Sequence, residues 1–301
     1  MRSTGFGSVL RGIATLATLL TLTSCALFPS ERRVTEAPAV AIEAAGPFMP
    51  EPPVTLSDVL AADFAHLQPE LAGTVGMAIM PVGGGQMALF GDWNSGIAWS
   101  TIKVPLAIAA LRHDHREWIV HLAEAAITAS DNSAAEALWW SLGNSREAAA
   151  AVQAVLDEAS TGAAGVEHTM LNYTAFGGTE WTLANQVRFA AQLPCLPETH
   201  RVPEMMASIT PDQAWGLGVL AGTAFKGGWG PDDTTGVYTV RQFGLVPALS
   251  GTVAVALAAQ ADSGTFADST AILSRLSELL GRHLHELNGG SCPPSQPISP
   301  E

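Results

Sequence analysis

Ser100 and Lys103 have residue types and a spacing that suit nucleophilic catalysis. They open the run STIKVPLAIAALR, which is almost entirely apolar apart from Lys103. Such a run predicts a helix buried on every side, and Pro105 in its first turns fits a helix start. Residues three apart share a helix face, so a lysine amine whose pKa is lowered by burial can accept the proton of the serine hydroxyl. The N–H groups at a helix N-terminus favour the negative charge that develops in such a reaction.

Two further short motifs contain the same residue types. Ser130-Asp131-Asn132 precedes the helix-like run AAEALWWSLG, and Lys226-Gly227-Gly228 ends a strand-like run before the turn GPDD. Taken alone, each has a structural interpretation, because Ser, Asp and Asn are preferred helix N-caps and glycines occur at strand edges. Of the 14 basic residues, however, only Lys103 and Lys226 are lysines. A buried lysine can lose its proton and an arginine cannot, which favours a chemical role for both.

The three motifs resemble, in this order, those of the penicillin-recognising serine enzymes, the class A β-lactamases and penicillin-binding D,D-peptidases. Those enzymes carry Ser-x-x-Lys, Ser-Asp-Asn and Lys-Thr-Gly. The resemblance covers most of the body of the chain and includes Leu171-Asn172 and the helix-like run WTLANQVRFAAQL. It implies a fold and a set of residue roles, which are given next as expectations.

The resemblance assigns the catalytic roles to three side chains and a pair of backbone groups. Ser100 is expected to attack an acyl carbonyl in a β-lactam or a peptidoglycan stem peptide. Lys103 is expected to accept its proton, and Ser130 to relay a proton to the leaving nitrogen. The backbone N–H groups of Ser100 and of Gly228 or its neighbour are expected to form an oxyanion hole.

Substrate binding is assigned to three other side chains. The resemblance implies that Asn132 positions the substrate amide and that Lys226 helps to hold its carboxylate. Arg241, on the following strand, is similar to the arginine with which some members grip the carboxylate through two hydrogen bonds; an exposed strand arginine is the alternative. Lys226-Gly227-Gly228 lacks the hydroxyl of the family motif, which is expected to weaken carboxylate binding by about 1 kcal/mol or more.

The residue that releases the acyl group departs from the family pattern. Hydrolysing β-lactamases of this class place a glutamate four residues before the asparagine of Leu171-Asn172. Here His168 holds that place and Glu167 comes one residue earlier. Either Glu167 or His168 is a candidate base, and we expect a long-lived acyl-enzyme. The spacing of 30 residues from Ser100 to Ser130 is also short for the family, which predicts trimmed helices between the two.

Residues 1–25 have the pattern of a targeting segment. Arg2 and Arg11 provide positive charge, and the apolar stretch 12–22 is shorter than the roughly 20 residues of a membrane-spanning helix. It ends in Leu22-Thr23-Ser24-Cys25, which resembles the lipobox of bacterial lipoproteins. The resemblance implies cleavage before Cys25 and its lipidation, so that the protein is anchored at the extracytoplasmic face of the cell membrane. An ordinary signal peptide with a chance cysteine is the alternative.

Composition divides the rest of the chain into three parts. Residues 26–55 are rich in proline and lack periodicity, which predicts a flexible linker. Residues 56–287 are expected to form the folded domain, and residues 288–301 an irregular tail. In an oxidising compartment, Cys195 and Cys292 are candidates for a disulfide, although two free thiols remain possible from the sequence alone.

The order of predicted elements within residues 56–287 indicates the fold class. An initial helix is followed by a strand hairpin, the apolar helix from Ser100, a helical section to about Leu193, three strands and a last helix over 270–285. This order predicts an α+β fold with an antiparallel five-stranded sheet flanked by helices, plus a helical lobe.

Charge and composition exclude several function classes. The net charge of −14 and the absence of a basic run argue against nucleic-acid binding. No His-Glu-x-x-His or paired Cys-x-x-Cys motif occurs, so we expect neither a metal nor another cofactor, and we expect a monomer. Two functions stay open. One is a serine hydrolase or penicillin-binding protein, and the other is an inactive lipoprotein of the same fold that serves as a binding or scaffold module.

Overall fold

The fold is described from a computed structural model, which defines residues 56–160 and 176–293. The chain divides into two units, 1–51 and 52–301, and all of the described residues belong to the second. The expected domain limits at residues 25, 55 and 287 remain predictions.

The centre of the domain is a five-stranded antiparallel sheet with strand order β2-β1-β7-β6-β5, which confirms the predicted fold class. Strand β5, which carries Lys226, is an edge strand and pairs with β6. A separate pair of short strands, β3 and β4, joins the segment before Ser100 to the segment before the sixth helix. The strands are β1 Gly73–Pro81, β2 Ala88–Gly91, β3 Ser95–Ile97, β4 Glu180–Thr182, β5 Ala224–Pro231, β6 Tyr238–Pro247 and β7 Thr252–Ala261.

Helices cover both faces of the sheet. The first and last helices pack on one face, and the other six form the predicted helical lobe on the opposite side. The helices are α1 Leu56–Leu67, α2 Lys103–His113, α3 Glu117–Thr128, α4 Asn132–Ser141, α5 Ser145–Ser160, α6 Leu183–Gln192, α7 Arg201–Met206 and α8 Phe266–His283. None of the helices within the described ranges is long and apolar enough to cross a membrane.

Alternation along β7 explains the two hydrophobic cores. Because successive strand residues point to opposite faces, Val253, Val255 and Leu257 join the core beneath α1 and α8. The alternate residues, including Ala254 and Ala256, join the core of the helical lobe. Methyl side chains on this second face let α6 pack close to the sheet.

The helix predicted from Ser100 differs at its start. Residues 99–102 form a 3₁₀ turn, and the α-helix α2 begins at Lys103. Every residue from Thr101 to Leu111 is buried, as the apolar run predicts. Ser100 is therefore held in a tight turn in front of the helix, and its position depends on what fixes that turn.

The C-terminal segment is more ordered than predicted. Asn288 and Gly290 form β-bridges with Ser250 and Thr252 at the start of β7. The structure also joins Cys195 to Cys292 in a disulfide, with a Cα–Cα distance of 5.2 Å and 97 residues between them in sequence. This bond ties the C-terminal segment to the end of α6, and so links the sheet to the helical lobe.

We expect the disulfide to contribute strongly to stability. Replacing both Cys195 and Cys292 by serine should lower the free energy of unfolding by about 2–5 kcal/mol, as measured by urea denaturation. The parent protein in reducing agent should unfold at the same urea concentration as the double variant. Equal stability of the oxidised and reduced parent would contradict this expectation.

Candidate active site

Ser100 lies where the edge strand β5 meets the turn in front of α2. A Cβ atom on Gly228 would lie 2.8 Å from the backbone nitrogen of Ser100 and 2.9 Å from that of Thr101. Only glycine allows this approach, because a real side chain needs more space. The preceding residue, Trp99, has a φ of +50°, a conformation that costs a non-glycine residue roughly 1–3 kcal/mol. The turn is thus strained and closely packed against the sheet edge.

Lys103 points its amine at the Ser130 motif. Its Nζ donates to the backbone oxygen of Ser130 at 2.5 Å and to Asn132 Oδ1 at 2.7 Å, and lies 3.3 Å from Ser130 Oγ. The residue is 2% exposed. Burial lowers the pKa of the Lys103 amine to about 8, against an opposing effect of the negative charge on Asp131. A useful fraction of this amine is therefore neutral near physiological pH.

Lys226 reaches the same serine from the opposite side. Its Nζ donates to Ser130 Oγ at 2.9 Å and to the backbone oxygen of Gly227 at 2.8 Å. The side chain is fully buried. Burial, and then the nearby positive charge of Lys103, hold the pKa of Lys226 well below its usual range. The two lysines of the chain thus converge on one hydroxyl, which can pass a proton between them and a substrate.

Asp131, and not Ser130, caps α4. The Asp131 carboxylate accepts from the backbone N–H of Ala134 at 2.8 Å. Ser130 itself has a φ of +55°, and its hydroxyl is left to the two lysines. The alternative in which Ser130 serves as the helix cap is therefore excluded by this geometry.

A residue not identified from the sequence supports the Ser130 turn. The side chain of Gln213, which is 7% exposed, donates to the backbone oxygen of Ala129 at 2.9 Å. Three residues earlier, the backbone N–H of Thr210 donates to Thr128 at 3.0 Å. The only sequence signal for this support is a polar side chain in a short 3₁₀ segment, which does not indicate its distant partner.

A cavity of about 340 Å³ opens in front of Ser100. Ser100 Oγ makes no hydrogen bond within the described residues, and Lys103 and Asn132 line the same cavity. Aromatic and glycine residues form most of the remaining wall, namely Trp99, Gly177, Trp229, Gly230, Pro231 and Tyr238. An acyl group in this space would meet the Ser100 hydroxyl and the Lys103 amine, whose pKa is lowered and which lies 3.3 Å from Ser130 Oγ. These groups are suited to acyl transfer.

The missing hydroxyl at Gly227 has a physical cause in this chain. A Cβ atom at Gly227 would lie 2.9 Å from the ring of Trp215. That ring packs in turn against Trp229 and Phe266. The indole therefore occupies the space beside the strand where a threonine would stand.

The expected substrate-binding role of Arg241 is corrected by the structure. Arg241 is fully buried, and its guanidinium donates to Gln186 Oε1 at 2.9 Å and to the backbone oxygens of Gly96 and Trp181 at 2.8 and 3.0 Å. Burial lowers the pKa of Arg241 to about 9, against the nearby charge of Glu180, so the group stays charged at neutral pH. Neither a bidentate grip on a substrate nor an exposed strand position describes this residue.

Three other expected residues lie outside the described ranges. Glu167 and His168, the candidate deacylation bases, fall between residues 161 and 175, as does Leu171-Asn172. Cys25, the expected lipidation site, precedes residue 56. Their roles remain predictions.

Comparison with solved structures identifies the fold. The chain is similar to an ancestral class A β-lactamase (19% identity, TM-score 0.56, covering 74% of this chain and 99% of that one). It is also similar to class A β-lactamases from Bacteroides cellulosilyticus (15%, TM-score 0.62, 77% and 99%) and to a β-lactamase from Streptosporangium roseum (16%, TM-score 0.57, 76% and 99%). No family model and no curated protein matches the sequence. The protein therefore has the class A β-lactamase fold at very low sequence identity.

The lowered pKa of Lys103 can be measured directly because the chain contains two lysines. Protein labelled with ¹³C at lysine Cε should give two resonances, one of which is lost in a Lys103→Arg variant. That resonance should titrate with a midpoint near 8, the amine becoming neutral as the pH rises through this value. A midpoint near the ordinary lysine value of 10.5 would show that the amine is not desolvated.

Proposed function

We propose that the protein is a serine acyl-enzyme hydrolase or penicillin-binding protein of the cell envelope, acting on β-lactam or peptidoglycan-peptide amides. The observation that carries this proposal is the convergence of Lys103 and Lys226 on the Ser130 hydroxyl, beside a cavity that contains Ser100. A structural role alone gives no reason to bury two amines against one hydroxyl, since burying a charge is costly.

The proposed acylation step follows from these contacts. Ser100 Oγ attacks the carbonyl carbon and gives its proton to the neutral amine of Lys103. Negative charge on the carbonyl oxygen is stabilised by the backbone N–H of Ser100 and by one from β5 next to Gly228. As the carbon–nitrogen bond breaks, Ser130 donates its proton to the leaving nitrogen and regains one from Lys103. The product is an acyl ester on Ser100. A peptide substrate releases its amine half, whereas the amine of a β-lactam stays attached to the acyl group through the opened ring.

The Lys103 amine contacts Ser130 and Asn132 and not Ser100. Catalytic hydrogen bonds often tighten only when the substrate is bound. Asn132 is expected to exchange its contact with Lys103 for one with the substrate amide, which would free the amine for Ser100. Lys103 then accepts the proton of Ser100 and later donates a proton to Ser130.

Carboxylate binding is expected to be weak. Lys226 is fully buried, Gly227 has no hydroxyl, and Arg241 lies in the protein interior. A penicillin should therefore acylate Ser100 only at high concentration, and its neutral methyl ester should react at a similar rate.

Formation of the acyl-enzyme is testable by intact mass. A soluble fragment beginning after Cys25, incubated with a labelled penicillin or its methyl ester, should gain the mass of the ring-opened drug. Ser100→Ala should gain none, and Lys103→Arg should slow the reaction by roughly 10²–10⁴-fold because it removes the proton acceptor. The acylation rate of the parent should rise with pH through about 8, as Lys103 becomes neutral.

The lifetime of the adduct separates the possible functions. A persistent adduct indicates a penicillin-binding protein, as the sequence at Glu167 and His168 leads us to expect. An adduct that clears and releases ring-opened product indicates a β-lactamase. If no adduct forms with either compound at millimolar concentration, β-lactam recognition is refuted and the scaffold alternative takes its place.

We also propose that Cys25 carries the lipid that anchors the protein to the extracytoplasmic face of the membrane. The support is its position after the apolar stretch and before a proline-rich spacer. In cells fed an alkyne analogue of palmitate, the full-length protein should become labelled and sediment with membranes. Cys25→Ser should abolish both effects, and equal labelling of the variant would exclude this site.

A further inference from the structure

Arg241 is a buried cation whose partners are neutral. Its guanidinium donates to the carbonyl oxygens of Gly96, Ile97 and Trp181, and lies 5.0 Å from the ring centre of Trp93. Within the described ranges, no carboxylate forms an ion pair with it. The charge of Glu180 acts on Arg241 without forming an ion pair with it. Burying a charge without an ion pair is costly, so the hydrogen bonds of the guanidinium must compensate for its lost hydration.

Those contacts continue as a chain of hydrogen bonds to the residue after Ser100. Arg241 Nη2 and Nε donate to Gln186 Oε1 at 2.9 and 3.3 Å. Gln186 Nε2 donates to Thr101 Oγ1 at 3.0 Å, and Thr101 Oγ1 donates to the backbone oxygen of Ala98 at 2.5 Å. All three side chains are fully buried. Each amide and hydroxyl group in the chain is thereby oriented by the next, with the fixed guanidinium at its end.

The chain of hydrogen bonds closes the turn that contains Ser100. The Ala98 oxygen accepts from the Thr101 hydroxyl and also from the Thr101 backbone N–H, at 3.1 Å. Between these two residues, Trp99 is in the strained conformation described above. A strained conformation persists only where the surroundings over-determine it, and the paired bonds from Thr101 to Ala98 provide that constraint.

Arg241 is also connected to the Ser100 turn through the sheet. It is paired with Gly228 across β5 and β6, and Gly228 is the residue against which the Ser100 nitrogen packs. The same guanidinium holds Gly96 and Ile97 of β3, the strand that leads into the turn. One side chain therefore fixes both the entry to the turn and, through Gln186 and Thr101, its exit.

We propose that Arg241, Gln186 and Thr101 are positioning residues that hold the hydroxyl and the backbone N–H of Ser100 in the geometry for acyl transfer. This inference rests on the proposed function, in that Ser100 is taken as the nucleophile. None of the three touches the cavity. We call the hydrogen bonds from Arg241 through Gln186 to Thr101 the positioning relay. Loss of this relay should slow the attack by Ser100 and leave non-covalent binding at the cavity wall largely unchanged.

Thr101 offers the cleanest variant because valine matches its shape and lacks the hydroxyl. Thr101→Val should lower the first-order rate constant for modification of Ser100 by roughly 10- to 100-fold, as expected for misplacement of a reacting group. The dissociation constant of the non-covalent complex should change less than about threefold. Thr101→Ser, which keeps the hydroxyl, should restore most of the rate.

Thr199 provides a matched control. Its hydroxyl is also buried and donates to two backbone oxygens, those of Leu193 and Leu196, at 2.8 Å. Thr199→Val should therefore lower the melting temperature about as much as Thr101→Val does, without slowing the modification of Ser100. A merely structural role for Thr101 predicts that the two variants behave alike.

Gln186→Glu separates positioning from stability. A carboxylate still accepts from Arg241 and adds an opposite charge to it, so the melting temperature should be unchanged or higher. The carboxylate can no longer donate to Thr101, so the rate constant for modification of Ser100 should fall. Combining Gln186→Glu with Thr101→Val should slow the reaction little further, because the two residues act through the same series of hydrogen bonds.

Rates should be measured with two probes, a fluorophosphonate that reacts with activated serines and a penicillin. Fluorophosphonate labelling of Ser100 without penicillin labelling refutes the β-lactam assignment and still tests the relay. If Thr101→Val reacts as fast as Thr199→Val, the relay is refuted while the proposed function stands. If neither probe modifies Ser100 in the parent protein, both the nucleophile and its positioning residues are refuted.

Discussion

The site depends on the burial of two amines beside one serine hydroxyl. Lys103 and Lys226 are almost completely removed from water, and each ammonium form would repel the other across Ser130. Asp131, whose charge opposes the pKa shift of Lys103, is itself exposed. Burial therefore makes a larger fraction of the Lys103 amine neutral near physiological pH than for an exposed lysine, and a proton acceptor for a serine must be neutral. The burial of α2 from Lys103 to Leu111 and the support of the Ser130 turn by Gln213 are the structural conditions for that desolvation.

Close approach is the second constraint, and small residues meet it. Gly228 lets the edge of the sheet reach the backbone of the Ser100 turn, and the alanines of β7 let α6 lie near the same sheet. These contacts bring Gln186 of α6 within reach of both Arg241 on the sheet and Thr101 in the turn before α2. The sheet, the helical lobe and the Ser100 turn are thus fixed relative to one another by the buried hydrogen bonds that join Arg241, Gln186 and Thr101.

The five strands of the main sheet and the buried helix are predictable from local pattern, because each is encoded in consecutive residues. The short strands β3 and β4 are not, and Trp181-Thr182 of β4 lie in a run with a helical pattern. A joint site for the two lysine motifs is implied by the family resemblance and favoured by the scarcity of lysine. Arg241 was misassigned because the resemblance was given more weight than its neighbours. Val240 precedes Arg241, and Gln242 and Phe243 follow it, in a strand that the structure buries on both faces. Such a strand leaves no exposed position for its arginine. Gln213 and Trp215 could not be identified, since their partners are more than ten residues away and no periodicity marks them.

The Ser-x-x-Lys, Ser-Asp-Asn and Lys-Thr-Gly motifs usually combine groups for proton transfer with groups for carboxylate binding, and in this protein the two sets differ in how well they are kept. Ser100, Lys103 and Ser130, to which the proposed acylation step assigns the proton transfers, keep their motif positions. The groups that would grip a carboxylate are altered, because Trp215 occupies the space of a hydroxyl beside Gly227 and Arg241 is turned to the interior. A net charge of −14 further disfavours the approach of an anion. For the function we propose, recognition at this cleft would therefore rest mainly on Asn132 and the aromatic wall, and the shape of the acyl group would influence selectivity more than its charge.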